Sequence, residues 1–326
     1  MSNKQREEQF IRDQEYLPIP QSDLVVKIGQ LLLRLKEAKI DNIKRNTIEA
    51  ELKGDKIYYE SSNKSLPVNM WFMDLKQAKK CIRVSVIQLL QFILYEYNSQ
   101  RNNIINLNIS DFLKLRGIKR RKENVDRLFE DFAILFGIKI EIETKVKNDK
   151  QIAIGNLAMF KGYKYSKSKE IDKHFETNRK IDGIVIELGD WIKKINLKQY
   201  ALIHSNFFKY NSKSEANNIM ISLKFTQLIR TNIKILQRNK YHNCRIKTLL
   251  DFINISDIKV KKQGVSYYYS LLLKTMNSIE VSEKYEFHFK HDIAKLNYND
   301  FLKLNIGYTN NYLMDYYKFI KRGKNK

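Results

Sequence analysis

Cysteine, proline and acidic residues are all scarce in this chain, and each scarcity excludes something. Two cysteines, Cys81 and Cys244, stand far apart in 326 residues. They offer neither a metal-ligand spacing nor a disulfide framework, so reduced thiols in an intracellular setting are expected. The only prolines, Pro18, Pro20 and Pro67, lie near the N-terminus. No GxxxxGK[ST] phosphate loop occurs, which argues against an ATPase or helicase. Long apolar runs are missing too. The greasiest stretch, Ile82–Tyr97, is broken by Arg83, Gln88, Gln91 and Glu96. It is too short and too polar to span a bilayer and reads as a buried helix. The first ten residues, MSNKQREEQF, lack the apolar core of a signal peptide, so no export is expected.

The acid deficit is the strongest of these signals. Against 36 Asp and Glu stand 60 Lys and Arg, a formal charge of +24. Such an excess repels itself in the compact state and suits a polyanionic partner. Nucleic acid is the favoured partner and a membrane is not. Lys, Ile and Asn dominate at the expense of Ala, Gly and Arg, as in an AT-rich coding genome. An apolar share of 43%, with 19 Tyr and 17 Phe, is ample for real cores. At roughly 100–200 residues per domain, the length suggests two domains.

Along the chain, YLPIPQSD reads as an extended arm leading to a helix N-cap at Ser22. Leu24, Ile28, Leu31, Leu32, Leu35 and Ala38 then mark one face of an amphipathic helix. Residues 53–74 look like short strands and turns. Next, Ser110 can cap a helix carrying Phe112, Leu113 and Leu115, which Gly117 ends. A second helix carries Val125, Leu128, Phe129, Phe132, Leu135 and Phe136, and Gly137 ends it. Ile138, Ile140 and Ile142 alternate with Lys139, Glu141 and Glu143 as a half-buried strand, with a return strand from Ile152. Helix, basic turn, helix and hairpin make a helix-turn-helix with a β-hairpin wing. Lys161–Lys180, with seven basic and three acidic residues, reads as a linker.

The same grammar then returns. GIVIELGDWI is a strand; NLKQYALIHSNFFKYN and SEANNIMISLKFTQLI are helices. RIKTLLDFINI (Arg245–Ile255) aligns by pattern with NISDFLKLRGI (Asn108–Ile118). The basic turn SDIKVKKQG precedes a helix with Val265, Tyr269, Leu272, Met276 and Ile279 on one face. Tyr285, Phe287 and Phe289 alternate as one strand, and Leu302, Leu304, Ile306 and Tyr308 as another. A period of about 135 residues is a domain duplication, not a solenoid. The expected fold is α+β and mainly helical: an N-terminal arm and helix over residues 1–50, a winged-helix domain over 51–160, a basic linker over 161–180 and a second winged-helix domain over 181–326.

This order of elements, above all LKQYALIHSNFFKYNSKSEANNIMISLKFTQLI followed by RIKTLLDFINI and VSYYYSLLLKTMNSIE, resembles the plasmid replication initiator proteins of the RepA type. The resemblance spans about residues 80–310. It implies a non-enzymatic, cytoplasmic protein without cofactor that binds directly repeated origin sites, or iterons, in double-stranded DNA. It also implies a homodimer through the first winged helix for copy-number control, and recruitment of the host initiator and helicase.

Two groups of residues are candidates for DNA contact. In the first domain, Lys119, Arg120, Arg121 and Lys122 occupy the turn and start of the recognition helix, followed by Asn124 and Arg127. Arginine is the preferred bidentate reader of guanine, and both Lys and Arg bind phosphate. A solvated charged loop is the alternative reading. Glu123, Asp126, Glu130 and Asp131 are expected on the same exposed face, which favours a phosphate grip over base reading. Lys145, Lys147 and Lys150 mark the wing. In the second domain, Arg230–Lys262 holds nine basic and two acidic residues. Lys259, Lys261, Lys262 and Gln263 precede a helix that starts with Ser266, Tyr267 and Ser270. Lysines for phosphate, and hydroxyls and an amide for base edges, make this the expected sequence reader. Tyr269 is expected in the core.

Two other functions remain open: a winged-helix transcriptional regulator, and a recombinase or nicking enzyme. The latter would use His242 and Arg245 with a tyrosine, or His288 and His291 on a metal. The two intervening residues should point His288 and His291 to opposite sides. No compact carboxylate cluster suggests a two-metal nuclease.

Overall fold

The computed structural model describes residues 15–21, 23–36, 38, 40–41, 47–52, 55–60, 78–80, 82–146, 149–165, 181–194, 200–232, 236, 239, 241–289, 291 and 296–324. The chain is α+β and forms two units. One comprises Ile19–Tyr200, and the other Ala201–Lys326 together with the segment up to Pro18. The first described strand, β1 (Tyr16–Pro20), pairs with β10 (Tyr200–His204).

In the N-terminal unit, α1 (Asp23–Leu35) buries Val25, Ile28, Leu31, Leu32 and Leu35 on one face. Its expected cap, Ser22, lies outside the described residues. The helix packs on β3 (Thr47–Leu52), which pairs with β2 (Ile40–Asp41) and β4 (Asp55–Glu60). Helix α2 (Ser85–Gln100) is buried along most of its length, even at Gln88 and Gln91. The Gln91 side-chain oxygen accepts from Gln21 at 2.5 Å, which offsets part of the cost of burying an amide.

Strand β5 (Ile104–Asn108) then runs directly into α3 (Ile109–Leu115). The cap of α3 is Asn108, whose side chain accepts from the Ser110 and Asp111 amides at 2.8 and 3.3 Å. Gly117, at φ 66°, lets the Ile118 amide close on the Leu113 carbonyl at 2.9 Å. Helix α4 (Lys122–Gly137) buries Val125, Leu128, Phe129, Phe132, Leu135 and Phe136, as their spacing predicts. Each such apolar side chain contributes about 1.5–3 kcal/mol. Strands β6 (Ile138–Val146), β7 (Asp149–Asn156), β8 (Ala158–Tyr165) and β9 (Ile181–Leu188) complete the unit with a 3₁₀ turn at Asp190–Lys194. Phe129 meets Tyr163, and Phe136 meets Phe160, at ring distances of 6.3 and 6.0 Å, seating α4 on β8.

The C-terminal unit begins with β10, the single-turn α5 (Asn206–Lys209) and α6 (Ala216–Thr231). Strand β11 (His242–Arg245) leads into α7 (Ile246–Phe252), followed by α8 (Asp257–Gln263) and α9 (Val265–Glu283). Next come β12 (Glu286–His288), α10 (Tyr298–Lys303), β13 (Asn305–Thr309) and α11 (Asn311–Lys324). Phe225 of α6 packs against Phe287 at 4.7 Å and Tyr308 at 5.0 Å, joining α6 to the sheet. The end of α7 repeats the end of α3. Asn254 stands at φ 61° and the Ile255 amide closes on the Leu250 carbonyl at 2.8 Å.

The sheets repeat as well. One three-stranded antiparallel sheet has the order β5-β9-β8, the other β11-β13-β12. In both, the strand before the short helix pairs with the last strand, which pairs with the middle one.

Four expectations need correction. The β6–β7 hairpin, read as the first wing, belongs to a separate five-stranded sheet, β2-β3-β4-β6-β7, because β6 pairs with β4. The hairpin that shares a sheet with β5 is β8–β9. Residues 161–180 are therefore no domain boundary: 161–165 lie in β8, and β9 starts at Ile181 and pairs back onto β8. The division falls instead at Tyr200/Ala201. NLKQYALIHSNFFKYN holds a strand and a single helical turn in its described part, because YALIH meets the edge offered by β1. Finally, the basic turn SDIKVKKQG is a helix. Ser256 caps it by accepting from the Lys259 amide at 3.4 Å, and Gly264 ends it at φ 91°.

Candidate nucleic-acid interface

The basic run of the N-terminal unit splits by orientation. Arg120 turns inward: its guanidinium donates to the Ser110 hydroxyl at 2.7 Å, the Asp182 carboxylate at 3.3 Å and the Ile181 carbonyl at 2.6 Å. It ties the turn to the start of β9. Ser110, expected as a cap, accepts from Arg120 instead. Asn124 is likewise occupied, donating to the Lys119 carbonyl at 2.8 Å. Lys119, Arg121, Lys122 and Arg127 face solvent. A hollow of about 520 Å³ opens beside them, lined by Arg120, Arg121, Lys122, Glu123 and Val125.

The acids of α4 are not the exposed row their spacing suggests. Asp131 is fully buried, and Glu130 is half-buried. Arg83, just before α2, reaches both, at 2.9 Å to Asp131 and 2.7 Å to Glu130, and also donates to the Arg127 carbonyl. Burial pushes the Asp131 carboxyl up, and Arg83 works against that shift. Two of the four carboxylates are thus held by a cation inside the unit. Glu123 is the exposed acid, and Asp126 is half-buried. Arg83 carries no signal in the linear pattern, where it looks like an interruption of an apolar run.

Lys145 lies on β6, away from the β5-β9-β8 sheet, and its side chain is not described. Lys147 falls outside the described residues. Lys150 is the second residue of the partner strand β7, where it pairs with Lys145 in register.

In the C-terminal unit the candidates form two consecutive helical faces. Lys259, Lys261, Lys262 and Gln263 are exposed on α8, where Val260 is the buried anchor. The Lys261 ammonium lies 4.9 Å from the Tyr298 ring. The Gln263 amide oxygen accepts a short hydrogen bond from the Tyr268 hydroxyl. Along α9, Ser266, Tyr267 and Ser270 face solvent, and the stripe continues to Lys274 and Asn277. Those two residues, not among the expected contacts, extend the row at the helical spacing that the sequence itself carries. The stripe carries no carboxylate from Ser266 to Asn277. Tyr268, not Tyr269, is the fully buried tyrosine. Tyr269 is half-buried against Phe289, with ring centroids 4.7 Å apart.

The enzymatic candidates do not assemble. His242 and Arg245 are an odd number of residues apart on β11, so they point to opposite faces of the sheet. His288 and His291, expected on opposite sides, line one cleft, because β12 ends at His288 and the strand alternation ends with it. Among the described residues no group of three or more His, Cys, Asp or Glu side chains converges on a metal position. Nor, among them, is any helix long and apolar enough to cross a membrane. Comparison with protein-family models, with curated proteins and with solved structures finds no match to this chain.

Proposed function

We propose that this chain binds double-stranded DNA through a winged helix in each unit. We propose further that it initiates plasmid replication at repeated origin sites, acting without chemistry of its own. One observation carries the reading. Both units run helix, strand, seven-residue helix, long helix and an antiparallel strand pair, with β6–β7 inserted after α4 in one unit and α8 and α10 inserted before α9 and β13 in the other. Both order their three-stranded sheets first-last-middle. In this reading the long helix, α4 or α9, is the element that enters a major groove. The β8–β9 and β12–β13 pairs take the place of the wings. The charge of +24 supplies the counterion-release term that dominates DNA affinity.

The two units divide the work in this reading. Lys119, Arg121, Lys122 and Arg127 grip phosphate. Lys259, Lys261 and Lys262 do the same for α9, whose Ser266, Tyr267 and Ser270 read base edges. The resemblance to RepA-type initiators adds the expected partners: iteron DNA, a second copy through the N-terminal winged helix, and the host initiator and helicase. In this reading the protein acts at the plasmid in the bacterial cytoplasm.

A salt series on a duplex tests the binding. With roughly six to ten phosphates engaged, affinity falls about 10³–10⁵-fold between 50 and 200 mM salt. Affinity unchanged across that range excludes the reading.

A further inference from the structure

A cleft of about 550 Å³ lies between α9 and the outer face of the β11-β13-β12 sheet. Its size falls within the roughly 300–1,000 Å³ of small-ligand sites. Its walls combine two chemistries. Tyr241, 46% exposed, and His288 form an angled aromatic wall, with ring centroids 5.0 Å apart and planes at 46°. Around it stand three amides, Asn243 on β11, Asn277 on α9 and Asn305 on β13. Among the described residues these three side chains make no hydrogen bond, so their donors and acceptors face the opening unspent. The one carboxylate of the lining, Glu280, is engaged, accepting from the Phe287 amide at 2.6 Å. Leu273, Met276 and Phe289 supply apolar surface.

Gly307 keeps the cleft open. A Cβ there would meet the His288 Cβ at 3.1 Å and the Tyr241 ring at 3.2 Å. Any larger residue would crowd the aromatic wall.

Flat aromatic faces beside free amides fit one ligand class. A planar heterocycle stacks on Tyr or His, while an asparagine amide matches the paired donor and acceptor on a base edge. We propose that this cleft holds a single unstacked nucleobase, carried by a mononucleotide or by a single strand. Arg245 sits two residues beyond Asn243 and pairs across the sheet with Asn305, so it stands on the same sheet face. It is exposed and is the cation placed to meet the attached phosphate. This site goes beyond the duplex contacts proposed for α4 and α9, and shares with the exposed row of α9 the residue Asn277, whereas Tyr241 lies outside that row.

The test compares two single strands of equal length at fixed salt, one with normal bases and one with abasic sites. Fluorescence anisotropy with the full chain reads affinity for each. Phosphate attraction is common to both strands, so the difference isolates the base. The expected result is about tenfold tighter binding of the base-bearing strand. Tyr241→Ala and Asn277→Ala, on different elements, each reduce that preference to within about twofold, and Tyr241→Phe retains it. Competition by free dAMP identifies a mononucleotide as the ligand, while an intact preference without competition identifies a strand. Equal affinity for the two strands overturns the proposal. So does a preference that survives both alanine substitutions in chains that unfold at the parent's temperature.

Discussion

Arg120 and Arg121 are sequence neighbours, yet one is bound inside the N-terminal unit and the other faces water. The difference follows from the turn after α3. Gly117 reverses the chain, which aims Arg120 at Ser110 and β9 and leaves Arg121 at the boundary of α4. Charge-assisted hydrogen bonds of this kind contribute about 1.5–3 kcal/mol before solvent screening. Arg120→Ala should therefore lower the unfolding free energy by about 1–2 kcal/mol, read by urea denaturation. Arg121→Ala with Lys122→Ala should leave stability within about 0.5 kcal/mol, as exposed substitutions do. The double variant should instead weaken binding to duplexes of any sequence equally, read by gel shift. A charge run in a sequence does not tell which of its side chains turn inward, and KRRK gives no sign that Arg120 does. Asp131 is the same lesson with the opposite charge: its partner, Arg83, lies 48 residues earlier.

At the scale of elements, α9 is the segment on which sequence preference should depend. Replacing Ser266, Tyr267 and Ser270 with alanine should cost about 1–3 kcal/mol on the preferred sequence for each base edge no longer read. Random duplex should bind the variant and the parent alike. Measuring both affinities at one salt concentration separates the effects, and an equal weakening on both DNAs would assign these residues to phosphate. Helices with one apolar face, such as α4, are legible because their spacing alone specifies which side is buried. The capped reversals at Gly117 and Ile255 are legible as paired patterns. Strand pairing is not. Nothing local distinguishes the β6–β7 hairpin, which pairs with β4, from β8–β9, which pairs with β5, since the partners are set by distant chain. YALIH misleads for another reason: a short continuous apolar run reads equally as helix or buried strand. The α8 helix is hidden because its lysines look like a turn, although Ser256 and Gly264 mark its two ends.

For the C-terminal unit as a whole, two buried titratable groups set opposing pH dependences. Burial pushes the Glu283 carboxyl up to about 7, against the Ser222 hydroxyl that donates to it at 2.5 Å. Folding thus holds a proton that the unfolded chain releases from an ordinary value of 4.5. The resulting stability is present at low pH and is lost as pH rises through about 7. Burial, with the charge of Lys284 adding to it, lowers His204 to about 4 from 6.5. Its neutral ring stabilises the fold increasingly from about pH 4 to 6.5. Each effect is worth about 3 kcal/mol, so they largely cancel between pH 4.5 and 6.5. Glu283→Gln removes one of them. Relative to the parent, the variant should gain about 3 kcal/mol between pH 4.5 and 8, read by urea unfolding across the series. A constant difference between the two chains over that range would contradict the assignment.

The central claim is that both units grip duplex DNA. Hydroxyl-radical footprinting of the full chain on the DNA flanking its own coding sequence tests it most directly. The predicted result is protection over directly repeated sites. Arg121→Ala with Lys122→Ala should remove protection from one part of each site, and Lys259→Ala with Lys262→Ala from another. Absence of protection on that DNA, or a footprint that neither pair of substitutions alters, would contradict it.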